Sequence, residues 1–451
     1  MNIPTSAERI EGCLLGLLVG DAMGAPLRSI KAGHILQIYG QIDGYIDADV
    51  LFHDRPGRWM PSELHSNASQ FALLFIEALL TSDHPAEEFS SLIQRFLHAS
   101  DSPYGLFRGL STELRKQLKT GESAGCHEGT AVLALVPQAI DSFIQDSSIP
   151  PDSIIKSCSL LQPDFRVITS VIAFSNVILQ TLRGEYDSFE SAMSSLQLLQ
   201  AEVRNIEEQL LQSENQSQSA MHGTSNLISI LPELLSGKNA DFARRSICAE
   251  ASRMFDRIID DPQAPNAPAN MAWALFLSLQ QRHFDFPVLT AIQSGRETNI
   301  IGALCGAFCG ARLGIKSIPA NWISSLQARD LAQSRFDALI NQTSAPLYEL
   351  DLFDCEDSFN QVLDKGRKER FEKLEVEKRK AEDKKSKKTQ PKAPPALPPT
   401  TYARRGLPGL PPVNPLLEDP EKARQIKEQR ARKKIDWKEK RRQSKRRKDS
   451  H

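Results

Sequence analysis

Residues 9–26 read Arg9-Ile10-Glu11-Gly12-Cys13-Leu14-Leu15-Gly16-Leu17-Leu18-Val19-Gly20-Asp21-Ala22-Met23-Gly24-Ala25-Pro26. Ile10, Cys13, Leu14, Leu17 and Leu18 fall at the spacing of one buried helical face. Thr5 followed by Glu8 is a capping-box pattern, which opens that helix just upstream. Gly16, Gly20 and Gly24 recur every four residues, and so do Gly302, Gly306, Gly310 and Gly314 near the far end of the apolar region. On a helix such a ladder leaves a stripe without side chains, where a second backbone can come close. The two ladders therefore predict tight helix crossings in a compact bundle.

Outward from this segment, helical apolar spacing recurs over 71–80, 131–143, 167–182, 227–235, 271–279 and 300–313. Alternation of apolar and polar residues is scarce outside 35–51, so the class is mainly α. Residues 1–350 are enough for one large domain with its own core. Leu196, Leu199, Val203, Ile206 and Leu210 repeat at 3-4-3-4 spacing. Two heptads are too few for a coiled coil, so a surface helix packed on its own domain is expected. The polar run 212–226 reads as an exposed loop.

The chain has 451 residues, 55 Lys plus Arg and 56 Asp plus Glu, for a formal net charge of -1. That neutrality is a cancellation. Residues 365–451 hold 30 basic and 13 acidic side chains, while residues 1–364 hold 25 and 43. A tail at +17 joined to a body at -18 points to a tail with its own partner, the acidic body itself being the first candidate. Nucleic acid or an acidic protein is the outside alternative. The seven cysteines are odd in number, scattered and mostly in apolar helical runs, which argues against a disulfide scaffold and for a reducing, cytoplasmic setting. No basic segment precedes an apolar run at the start, and no long unbroken apolar run follows, so neither a secretion signal nor a membrane partner is expected.

The tail divides into a charged helical linker (351–390), a Pro-rich linker (391–420) with ten of the 27 prolines, and a basic end (421–451) closing on Lys445-Arg446-Arg447-Lys448. Glu369/Lys373 and Glu375/Arg379 support a helix over 365–388, which with few apolar residues is expected to be solvated. Arg405 to Pro411 fits an Arg-x-x-Pro-x-x-Pro ligand, but inside a Pro-rich linker the pattern is weak and the spacer reading is preferred.

Four blocks in order resemble the ADP-ribosylglycohydrolase family. They are the opening segment quoted above; Gly57-Arg58-Trp59 through Ser66-Asn67-Ala68-Ser69-Gln70-Phe71-Ala72-Leu73; Gly129-Thr130-Ala131 up to Pro137; and Gly295 through Ile301, ending near Ile318-Pro319-Ala320-Asn321-Trp322. The resemblance covers about residues 7–325. It implies an all-α, compact orthogonal helical bundle with a ligand cleft where the loops converge, and cleavage of an ADP-ribosyl glycosidic bond helped by two Mg²⁺ ions. Hard divalent cations want oxygen ligands, and two of them bring four positive charges that several carboxylates must offset. Here those carboxylates are largely gone. Matched through Glu77, the first metal motif reads Ser66, Asn67, Ala68, Ser69; matched through Gly302, the second reads Arg296, Glu297, Thr298, Asn299, Ile300. Only Glu297 is anionic, with Arg296 beside it as a competitor for its charge. Arg28 stands where the family often has an acidic residue, and Leu160-Leu161 where it often has a His.

The expectation is therefore an eroded dimetal site at Ser66, Asn67, Ala68, Glu297, Asn299 and Ile300, with no cofactor, or Mg²⁺ only in a rebuilt site. Asp21, Ser66, Asn67, Ser69, Gly129, Thr130, Thr298 and Asn299 are the candidate binders of ADP-ribose, a nucleotide-like ligand or a modified protein, since hydroxyls and amides bond a ribose without metal. Against this stands a rebuilt hydrolase using Glu297, Glu128 and His127, the last two adjacent in a glycine-flanked loop where they could orient a water. Glu63 and His65 lie next to the matched loops as further ligand candidates. Cys305 and Cys309, at i,i+4, read as buried structural thiols rather than metal ligands.

Overall fold

The computed structural model describes residues 3–122, 125–213, 223–343 and 350–389. The Pro-rich linker, the basic end, the Arg405–Pro411 pattern and most of the loop expected over 212–226 lie outside the described residues. Contacts divide the chain into a compact unit, Met1–Lys384, and a second, Lys385–His451, of which the last helix is described to Thr389.

The opening helix runs Ser6–Gly24, and Thr5 and Glu8 close the reciprocal capping box at its start. It packs antiparallel on the helix Thr298–Leu313, and the two glycine ladders face each other. A methyl group on Gly16 would stand 2.2 Å from the Gly306 carbonyl oxygen, and one on Gly20 2.0 Å from that of Gly302. Gly12 against Gly310 extends the seam by a turn. The expected tight crossing is a crossing of the two ladders with one another.

Around this pair the helices Asn67–Thr81, Phe165–Leu182, Thr224–Gly237 and Ala267–Leu279 share one continuous core, at or near the positions their periodicity predicts. The run 131–143 is broken into Thr130–Ala134 and Val136–Ile144. Among the described residues there is no strand, only an isolated bridge between Lys31 and Gly295. The alternating stretch 35–51 instead carries the helices Ala32–Tyr39 and Asp49–Phe52, with Leu36 and Ile38 turned to solvent. In Phe189–Ser213, Leu196, Leu199 and Val203 are buried and the helix packs on Thr224–Gly237, as a surface helix of its own domain. Ser6–Leu27 and Phe165–Leu182 are long and apolar enough by composition to cross a membrane, but other helices of the fold already cover most of both.

The C-terminal helix Leu352–Thr389 departs from expectation. It docks: Leu352 and Leu363 are buried, Phe359 packs against the core, and Glu356 is fully buried. Further along, Arg367 Nε donates to the Trp59 carbonyl at 3.0 Å, and the Arg370 guanidinium lies 3.4 Å from the centre of a Trp59 ring. Packing thus continues past 350, and the solvated character expected of 365–388 sets in only beyond these contacts, where Arg379 and Glu375 stand 3.8 Å apart as an exposed pair. The apolar residues that dock the helix, Leu352, Phe359 and Leu363, all precede the charged stretch that begins at Lys365.

Candidate functional site

A cleft of about 1110 Å³ opens where the loops around Arg28, Gly109, His127 and Pro265 converge, slightly larger than most sites that hold small molecules. Asn360, Asp364 and Arg367 of the C-terminal helix form one wall. Glu356 anchors that wall. Its carboxylate accepts from Gln70 Nε2 at 2.6 Å, lies 2.6 Å from Arg108 Nη1, and has His65 Nε2 at 2.8 Å. Burial alone would push this carboxyl up, but the Arg108 charge and His65 prevail and hold it at about 2. His65 is therefore committed to the wall and is no ligand for the cleft.

The positions matched to the first metal motif have turned inward on Asp21, which is fully buried. Ser66 caps the helix Asn67–Thr81, and a carboxylate is well placed at such an N-terminus. Asp21 accepts from the backbone N–H groups of Ser66 and Ser69 at 2.9 and 3.0 Å, and from their hydroxyls at 2.5 and 2.7 Å. Ser66 Oγ donates its one proton to Asp21 and accepts from Ala68 N and Asn299 Nδ2, so its lone pairs are spent. Asn67, with its amide nitrogen turned to the chain, bonds the Arg108 and Gly109 carbonyls. Thr298 Oγ1 donates to the Gly24 carbonyl at 2.6 Å, holding the helix crossing. Ala68 and Ile300 are apolar and buried, and Ile300 packs against Gly129.

The charges of the cleft gather on Arg28. Its Nη2 lies 3.0 Å from Glu297 Oε2 and 3.2 Å from Glu128 Oε2, Nε donates to Glu297 at 3.1 Å, and Nη1 donates to the Gly109 carbonyl. Backbone pairing sets this up. Ser29 N donates to Arg296 O and Arg296 N to Ile30 O, beside the Lys31–Gly295 bridge, so the loop carrying Arg28 runs against the loop carrying Glu297. Arg296 itself adopts φ 66° and points to Asp260 and Asp261, at 3.9 and 3.7 Å. The expected competition of Arg296 for Glu297 is thus carried out by Arg28. Burial pushes the Glu128 carboxyl above its ordinary range, Arg28 opposes that, and Glu297 adds to it. Thr130 Oγ1 donates to the other Glu128 oxygen at 3.1 Å.

His127 and Glu128, adjacent in sequence, face different partners. His127 Nε2 is 3.1 Å from Asp164 Oδ2, and its ring packs edge-on against Phe255. Although Asp164 is largely buried, Arg166 and His127 hold its carboxyl below the ordinary range. The structure does not bring His127 and Glu128 together on one water. Glu63 sits apart from the cleft, where its carbonyl accepts from Gln327 N. Cys305 and Cys309 are buried, and burial pushes both thiols up, Cys309 to about 11.

These residues do not fit a pair of divalent ions. Such ions need several unspent oxygen ligands, mostly anionic. Asp21 is fully buried and takes four donors, three on Oδ2 and one on Oδ1, Glu128 and Glu297 share a guanidinium, and Asn299 Oδ1 is a single neutral oxygen without a hydrogen-bond partner. Among the described residues no group of three or more His, Cys, Asp or Glu side chains could hold a metal. Sequence reasoning missed Asp164, Arg108 and Glu356. The apolar run Leu352, Phe359, Leu363 was the signal for the last.

A sequence profile described as ADP-ribosylglycohydrolase matches residues 2–350. A solved structure of an ADP-ribosylglycohydrolase-related protein complex is similar at 17% identity, covering 75% of this chain and 99% of that one, with a TM-score of 0.49. No curated protein sequence matches significantly.

Proposed function

The chain belongs to the ADP-ribosylglycohydrolase family, and from that premise we propose that it is a catalytically degenerate member that acts by binding. The observation that carries this is Asp21, fully buried behind the cleft lining and engaged by four hydrogen bonds from Ser66 and Ser69 instead of facing the cleft. The cleft persists beside it, with polar groups suited to ADP-ribose, another nucleotide or a modified protein. Titration calorimetry of the full chain with ADP-ribose, with and without Mg²⁺, tests the reading. Binding indifferent to Mg²⁺, with no release of ADP-ribose from modified substrates, is expected; Mg²⁺-dependent binding or turnover overturns it.

A second reading, an active hydrolase with a rebuilt site, draws on Glu128, a buried carboxyl pushed up as a general acid must be. It requires that Glu128→Gln and Glu297→Gln each abolish a measurable hydrolysis. The tail at +17 is assigned to the acidic body or an external polyanion, by contacts that weaken steeply with salt. We place the protein in the cytoplasm, a setting supported by seven free thiols.

A further inference from the structure

We infer that Arg28 is the resident cation of the cleft: a guanidinium tethered to the chain supplies the positive charge that Glu128 and Glu297 require, so the site stands without a divalent ion. Both carboxylates are nearly buried, with side chains 3% and 5% exposed, and they converge on one nitrogen of a guanidinium that is itself 16% exposed. Two carboxylates so placed cannot both stay ionised without a cation between them, because burial and mutual repulsion act in the same direction.

Arg28 is fixed in that role from three sides. Nε and Nη2 hold the two carboxylates, Nη1 holds the Gly109 carbonyl, and the backbone pairing of 29–31 with 295–296 sets the register of the two loops. A glycine is required at 295, where φ is +76° and a Cβ would stand 2.4 Å from the Ile30 carbonyl oxygen. Arg296, the sequence neighbour of Glu297, is drawn off by Asp260 and Asp261. Among the described residues no other Lys, Arg or His pairs with Glu128 or Glu297. A planar guanidinium suits this position because it meets two carboxylates in a fixed fork and does not lose its charge when buried.

Removing the arginine should therefore create a need for an added cation. Thermal unfolding of the full chain in EDTA and in Mn²⁺ reads this for the wild type, Arg28→Ala and the triple variant Arg28→Ala/Glu128→Gln/Glu297→Gln. The wild type is expected to unfold at the same temperature in both. Arg28→Ala is expected to fall by about 5–10 °C in EDTA and to recover most of that in Mn²⁺. The triple variant should unfold near the wild type and ignore Mn²⁺. An Arg28→Ala protein that fails to fold while the triple variant folds supports the inference equally, since only the carboxylates differ. A Mn²⁺ shift in the wild type, a folded Arg28→Ala without a Mn²⁺ response, or a triple variant that cannot fold overturns it. ADP-ribose can fail to bind while this charge balance holds, and the reverse, so the two experiments fail separately.

Discussion

Two buried charge clusters meet at adjacent residues, Arg108 and Gly109, and they are balanced in opposite ways. Under the C-terminal helix one carboxylate, Glu356, is served by Arg108, His65 and Gln70. In the cleft two carboxylates, Glu128 and Glu297, are served by one arginine. The first carboxyl is held down at about 2, and Glu128 in the second is pushed up. A carboxylate with three donors works as a rigid staple, whereas two carboxylates that share one guanidinium leave Glu128 raised. Burial is common to both, so the ratio of donors to carboxylates decides the difference.

The sharpest way to break this comparison is Glu356→Ala. It leaves Arg108 buried without its carboxylate and is expected to cost about 3–5 kcal/mol in urea unfolding. Amide exchange should also quicken over 352–370, and a loss below about 1 kcal/mol would show that the staple carries little. Acid titration comes next. Glu356 is depressed from 4.5 to about 2, so its contribution is complete above pH 4.5 and disappears as pH falls toward 2, an effect on the order of 3 kcal/mol. Glu128 is raised, so its contribution is present below the ordinary carboxylate range and is lost as pH rises through its shifted value. Denaturation across pH should show Glu356→Gln flattening the acid limb and Glu128→Gln flattening the limb above it; identical profiles would erase the distinction.

Gly366→Val probes the same helix by shape. A Cβ there would lie 2.6 Å from the Trp59 ring, and overpacking is expected to cost about 1–3 kcal/mol in thermal unfolding. The smallest effect belongs to Glu128→Gln at neutral pH. With Glu297 still paired to Arg28, it should change urea stability by no more than about 1 kcal/mol, and a loss as large as that of Glu356→Ala would put the clusters on one footing.

Much of the fold was legible because burial imposes a period on a helix, and the ladders at 16, 20, 24 and 302, 306, 310 showed where backbones touch. The resemblance also marked Asn67, Ala68 and Ile300 as departures from the family's metal motifs. The charge partners of the cleft carboxylates were not legible. Arg28 stood out as a departure, yet its partners lie 100 and 269 residues away along the chain. His127 next to Glu128 suggested a pair, but adjacent side chains on an irregular loop are free to face Asp164 and Arg28 separately.

By itself the sequence determined the α class and the close helix packing at the two glycine ladders, because periodicity and residue chemistry are local properties. Only the tertiary structure decided that Asp21 is spent on Ser66 and Ser69, that Arg28 answers Glu128 and Glu297, and that the C-terminal helix walls the cleft. The charge and hydrogen-bond capacity of a buried group are divided among whatever neighbours the fold brings within about 3 Å, and no spacing along the chain specifies which they are.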